Sequence, residues 1–244
     1  QLESMEPRLL LSADPVVNLT NGSDVVSIAQ QANLAVDGGA VIDVTVGVGA
    51  AAVTTTYGDA NTGISSLTIH GLDGADSFEL ASSFTVSVTI DADGAGDTLK
   101  GMDDSVEWVI DGAGSGFVRG GAIFSGIEIL QGGTGDDIFA FDTAGSISGG
   151  VLGGAGDDTV IAPALDNTWS INAAGGGTLG SQQFSGIENL VGGTEGDRFK
   201  ILSGGSISGV IEGGAEKDAG LTQPVDWVDL QSLSGAITVN LADE

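Results

Sequence analysis

The residues most able to do chemistry in this chain are aspartates at the sixth place of glycine-rich turns. GGTGDDIFA at 132–140 and GGAGDDTVI at 153–161 fit the pattern G-G-x-G-x-D-x-U-x at every fixed position. Asp137 and Asp158 supply carboxylates, and Gly132, Gly133, Gly135, Gly153, Gly154 and Gly156 let backbone carbonyls crowd beside them. This is oxygen chemistry, suited to a hard cation such as Ca²⁺, which takes six to eight oxygens. Asp76 and Asp97 hold the same place earlier in the chain, and Asp197 and Asp218 hold it later. A plainer reading stands beside this one, because Asp and Gly are also good turn formers that solvate an edge.

The turns recur within a larger repeat. FSGIEILQGGTGDDIF at 124–139 aligns without a gap on FSGIENLVGGTEGDRF at 184–199, and GSISG recurs at 145–149 and 205–209. Both offsets are 60 residues. GISSLTIHGLDGADSF at 63–78 is a more diverged copy. Within each unit, apolar strands run into glycine-rich turns led by Ile90, Ile110, Leu130, Val151, Ile171, Leu190 and Ile211, spaced 20, 20, 21, 20, 19 and 21.

A period near 20 made of short strands and turns predicts an all-β fold, a parallel β-solenoid (β-helix or β-roll) whose coils stack ~4.8 Å apart. The units divide as 63–123, 124–183 and 184–244, preceded by a β-rich cap or first coils over 1–62, where period-2 alternation marks a strand around Val41 to Val46. Carboxylates then fall in pairs on adjacent coils: Asp76/Asp97, Asp137/Asp158 and Asp197/Asp218. The turns at GAGSGFV and AAGGGTL make a third coil without the Asp. Two carboxylates one coil apart repel by roughly 1 kcal/mol at water's dielectric and about 3 to 4 at an effective value of 20, which a cation would relieve. At Asp197/Asp218, Lys217 could supply that charge instead. ITVNLADE at 237–244 reads as the middle of a further coil, the expectation for a segment of something longer.

Composition limits the partners. Thirty-four acidic residues face 6 basic ones, a formal charge of −28. Nucleic acid and anionic membrane both require a basic surface, so neither is expected. No apolar run approaches the ~18 residues of a spanning helix, and the N-terminus, acidic at Glu3 and Glu6, does not read as a secretory signal peptide. With no cysteine, neither a disulfide framework nor a thiolate zinc site is available.

The paired nonapeptides resemble the repeats of toxin-like (RTX, hemolysin-type) proteins exported by type I secretion, in which adjacent turns hold Ca²⁺ between aspartates and carbonyls. The resemblance implies Ca²⁺ at Asp137 and Asp158. It departs from that family in spacing, since the matches here are isolated at 21 residues, and Glu195 replaces the fourth-position glycine in GGTEGDRFK. MEPRLLLSADP at 5–15 resembles the LEPRxLL signature of very large repetitive bacterial surface proteins, presumed adhesins, with only the first Leu changed, to Met5. The same residues also suit an amphipathic cap, with Leu9, Leu10 and Leu11 against the first coil.

Catalysis finds little support. Clustered carboxylates with Arg or Lys cleave polysaccharides on many parallel β-helices. Here the basic residues are few and scattered, His70 is the only histidine, and Arg198 with Lys200 is the best hint of a site for a sugar acid. Trp108, Trp169 and Trp227 recur once per unit and read as a core or edge ladder rather than a sugar platform. The expected function is therefore structural or adhesive: a β-solenoid segment of a secreted, extracellular protein at the bacterial cell surface, or a filament subunit, stiffened by Ca²⁺. Expected partners are further repeats, other copies stacked end to end, or surface and matrix glycans. A polysaccharide-binding or polysaccharide-cleaving β-helix is the alternative.

Overall fold

A computed structural model describes residues 14–32, 35, 38–47, 49–59, 61–214 and 226–233. Most of the MEPRLLLSADP segment, and Lys217 and Asp218, lie outside these residues. The described chain is all-β, without α-helix. Strand β1 (Val16–Asn18) precedes a first group, β2 (Val25–Gln30), β3 (Ile42–Val46), β4 (Val53–Tyr57), β5 (Ser66–His70), β6 (Ser77–Leu80), β7 (Ser87–Asp91) and β8 (Thr98–Lys100). The second is β9 (Glu107–Gly112), β10 (Ser115–Val118), β11 (Ala122–Ser125), β12 (Ile129–Gln131), β13 (Ile138–Phe141), β14 (Gly150–Leu152) and β15 (Thr159–Ile161). The third is β16 (Thr168–Ala173), β17 (Gly176–Leu179), β18 (Gln182–Ser185), β19 (Asn189–Val191), β20 (Arg198–Ile201), β21 (Ile211–Glu212) and β22 (Trp227–Asp229).

These strands form a ten-stranded sheet, β1-β5-β7-β11-β10-β9-β13-β15-β19-β21, and a twelve-stranded sheet, β22-β20-β16-β17-β18-β14-β12-β8-β6-β2-β3-β4. Outside three antiparallel meanders, every pairing is parallel. Parallel neighbours need a crossover, and here the crossover is the other sheet. From β5 to β9, and again from β11 to β16 and from β18 to β22, successive strands alternate between the two sheets.

Alternation along each strand makes this possible. In β5, Leu67 and Ile69 are fully buried while Ser66, Thr68 and His70 face outward. The inward residues of both sheets merge into one hydrophobic cluster running from Leu19 to Phe199. Burying each Leu, Ile or Phe contributes about 1.5–3 kcal/mol. The largest members cluster once in each of the second and third groups: Trp108 stacks on Phe139 (5.7 Å) with Phe124 edge-on (6.2 Å), and Trp169 stacks on Phe199 (5.5 Å) with Phe184 edge-on (5.8 Å).

The third tryptophan departs from this pattern. Val228, not Trp227, stands in register with Phe199, so Trp227 faces outward, 50% exposed, with the Arg198 guanidinium 4.2 Å from its ring centre.

The stretches led by Ile110 and Ile171, where the sequence period predicts separate coils, instead reverse within one sheet. Ala113–Gly114 joins β9 to β10 and Ala174–Gly175 joins β16 to β17, with Gly114 and Gly175 left-handed (φ 63° and 61°). A glycine-rich turn serves a hairpin as well as a crossover, so the spacing did not separate them. The two GSISG segments buttress these hairpins, Ser146 bridging to Ala113 and Ser206 to Ala174. Residues β2 to β4 make the same meander with longer connections, so the less regular N-terminal stretch carries the repeat as well.

Each meander sits in the sheet opposite to the one before: β2–β4 in the twelve-stranded sheet, β9–β11 in the ten-stranded one, β16–β18 in the twelve-stranded one. The single crossover strands swap in step. Because the non-meander strands of each sheet all run the same way, turns from the ten- to the twelve-stranded sheet share one edge and the return turns share the other.

Candidate metal centre

The sixth-place aspartates lie in these edge turns and point inward. Asp76, Asp97, Asp137, Asp158 and Asp197 are 0–1% exposed, the only buried charged residues among those described. Each reaches across to the backbone of the neighbouring layer. Asp76 Oδ1 accepts the Asp24 N–H (2.7 Å) and Asp97 Oδ1 the Asp76 N–H (2.7 Å). Asp137 Oδ1 accepts from Val106 (2.8 Å) and Asp158 Oδ1 from Asp137 (2.8 Å). Asp197 Oδ1 accepts from Asn167 (3.0 Å), and Asp226 Oδ1 from Asp197 (2.8 Å). The structure therefore brings together the pairs Asp76/Asp97 and Asp137/Asp158 on adjacent layers. Beside Asp197 it places Asp226, a residue the repeat spacing did not single out.

Two further acids close the columns. Glu128 Oε2 accepts the N–H groups of Gly96 and Asp97 (both 2.9 Å), and Glu188 Oε2 accepts that of Asp158 (3.0 Å). Both glutamates come from the recurring FSGIE segment, whose one charged residue was the available signal.

The pattern's glycines follow from this packing. A methyl group on Gly132 would overlap the Asp137 carboxylate and the Gly153 carbonyl of the next layer; on Gly153 it would overlap Asp158 Oδ2 and the Gly186 carbonyl. Gly192 stands likewise between Asp197 and Gly213. Gly154 and Gly156, at φ 118° and 126°, lie against the carbonyls of Gly133 and Gly135, so successive turns stack with no room for a side chain.

Burial makes the column electrostatically tense. Desolvation, aided by neighbouring acids, pushes Asp97, Asp158 and Asp197 up to about 6, and raises Asp76 and Asp137 in the same direction. Asp137 spends both oxygens on amides, Oδ2 accepting from Gly133 (2.9 Å). In contrast, Oδ2 of Asp76, Asp97, Asp158 and Asp197 is buried without a hydrogen-bond partner. Unpaired buried carboxylate oxygens beside inward carbonyls suit an oxygen-seeking cation. Among the described residues no three Asp, Glu or His side chains converge on one point, so carbonyls would complete its shell.

Three of the four basic residues among those described are ion-paired, Lys100 with Glu79 (2.6 Å), Arg119 with Glu107 (2.6 Å) and Arg198 with Asp229, while Lys200 stands in register with Asp229 on the neighbouring strand. His70 Nδ1 lies 3.3 Å from Asp91. Compared with protein families, curated proteins and solved structures, the chain gives no match to any of them.

Proposed function

We propose that the chain is a two-sheet parallel β-solenoid with a structural and adhesive role, a Ca²⁺-stabilised segment of a secreted bacterial surface or filament-forming protein. One observation carries the reading: columns of buried carboxylates, most with an unpaired oxygen, recur on stacked glycine turns once per repeat. A repeat that spends its conspicuous acids inside the stack invests in the stack's cohesion. Among the described residues the outermost strands, β1 and β21 in one sheet and β4 and β22 in the other, pair on one side only, which suits further repeats or other copies of the chain as neighbours. Of Arg198 and Lys200, the two basic residues that could serve a sugar acid, Arg198 is held by Asp229, which supports a non-catalytic role.

The test is thermal unfolding of the chain in millimolar Ca²⁺ against chelator. Binding to the native state alone stabilises by about 2.7 kcal/mol at a hundredfold excess over the dissociation constant, so the midpoint rises by several degrees. A midpoint that does not move removes the cation from the reading. Electron microscopy of the same samples separates filament subunit from monomer.

The alternative, polysaccharide binding, has one observation in its favour. A hollow of about 500 Å³ on the outer side of β10 and β11 is lined by Phe84, Phe117, Ile123 and Asp111, an aromatic and acidic lining that suits a sugar ring. Retention on immobilised bacterial glycans, lost in Phe117→Ala, would favour it.

A further inference from the structure

Resting on the Ca²⁺ reading, we propose that two cations lie one layer beyond the paired aspartates, one between Asp158 and Glu188 and one between Asp97 and Glu128, rather than between Asp137 and Asp158. The two members of the nonapeptide pair are not equivalent. Asp137 has its two oxygens occupied by the Val106 and Gly133 amides and offers nothing unpaired. Asp158 has Oδ1 occupied by Asp137 and Oδ2 buried and unpaired.

That unpaired oxygen faces forward. Asp158 Oδ2 and the Gly186 carbonyl crowd the same side of Gly153, and Gly186 is two residues before Glu188. Two oxygens facing each other with no proton between them repel, and a divalent cation there would satisfy both. Glu188, half-buried at the same edge, already touches Asp158 through its backbone N–H (3.0 Å) and supplies the second negative charge. In the preceding unit Asp97 repeats the arrangement in its acids, with Ala92 in the place of Gly153: its Oδ2 is unpaired, as is that of Asp76, and Glu128 closes the layer on the Asp97 and Gly96 amides. The site thus takes one acid from the nonapeptide and one from FSGIE, which accounts for a charged residue recurring in that segment at the edge where the column ends.

Calorimetric titration of the chelator-treated chain with Ca²⁺ tests this. Glu188→Gln and Glu128→Gln keep an oxygen that accepts the Asp158 or Asp97 amide and remove only the charge, so folding is preserved. Each is expected to weaken Ca²⁺ binding at its own site at least about tenfold, the double variant losing both sites. Asp157→Asn, which removes an exposed acid from the same turn without touching the unpaired oxygen, is expected to change affinity less than about twofold. Isotherms of the glutamine variants that superimpose on that of the unsubstituted chain would overturn the proposal and leave the Ca²⁺ reading standing. Equal weakening by Asp157→Asn would overturn it too, by reducing the effect to general charge. An unsubstituted chain that takes up no Ca²⁺ removes both the proposal and the reading beneath it.

Discussion

Asp158 accepts the backbone N–H of Asp137, 21 residues earlier, at 2.8 Å, and both residues are wholly buried. A side chain of one layer thereby completes the hydrogen bonding of a turn in the layer before. The contact calls on the carboxylate as an acceptor, a role that does not need its charge.

Substitutions at Asp158 separate the two properties. Asp158→Asn retains an acceptor for Asp137 and places an amide donor toward the Gly186 carbonyl, so in metal-free buffer at pH 7.5 the midpoint should stay level or rise. Asp158→Ala leaves the Asp137 amide buried and unpaired, and should cost about 1–3 kcal/mol in denaturant unfolding. An Asn variant as unstable as the Ala variant would show that charge is what matters.

The metal-free chain should be more stable in mild acid. Asp97, Asp158 and Asp197 titrate near 6 when folded, because burial disfavours their charge, against about 3.9 in an unfolded chain. The folded state therefore holds more protons between those values. Stability is fully present below about pH 4 and is lost as pH rises through 6. Thermal midpoints in chelator should be higher at pH 5 than at pH 7.5. Relief of the overall charge of −28 acts in the same direction. The discriminating measurement is thus the Asp97→Asn, Asp158→Asn double variant, in which the pH difference should shrink.

Glycine substitutions should rank by what the added methyl meets. At Gly153 it overlaps the Gly186 carbonyl and Asp158 Oδ2, neither free to withdraw, so Gly153→Ala should cost 2 kcal/mol or more, on the order of other core overpacking. At Gly120 it meets open space, leaving only the strain of φ 71°, about 1–2 kcal/mol. Chemical denaturation of the two variants checks the order.

The three tryptophans should behave as two kinds. Trp108→Ala and Trp169→Ala each remove a fully buried ring stacked on a phenylalanine and should cost about 3–5 kcal/mol. Trp227→Ala removes an exposed ring and should cost less than about 1 kcal/mol. Acrylamide quenching of fluorescence should reach Trp227 alone in the native state.

What could be read from the sequence was local. Apolar residues ahead of glycine turns marked strands, as at Leu130 and Val151, because one period-2 face is enough to fix which side is buried. The adjacency of Asp137 and Asp158 followed from a spacing of one layer. Ile110 and Ile171 misled because a glycine-rich turn closes a hairpin as readily as it turns a chain from one sheet to the other; only the pairing partners distinguish the cases. Glu128 and Glu188 escaped notice because they lie 31 and 30 residues from their partners, a separation set by the meander and not by the 20-residue period. Asp226 escaped because it stands 29 residues from Asp197, off the 20-residue period.

The exchange of sheets between successive repeats has a mechanical consequence. The column of Asp76, Asp97 and Glu128 lies on the edge where the chain leaves the ten-stranded sheet, that of Asp137, Asp158 and Glu188 on the opposite edge, and that of Asp197 and Asp226 back on the first. A beam whose fasteners all lay along one side would bow whenever they tightened. Here the columns of successive units lie on opposite edges, so any contraction of one column on protonation is set against that of the next instead of adding along a single side.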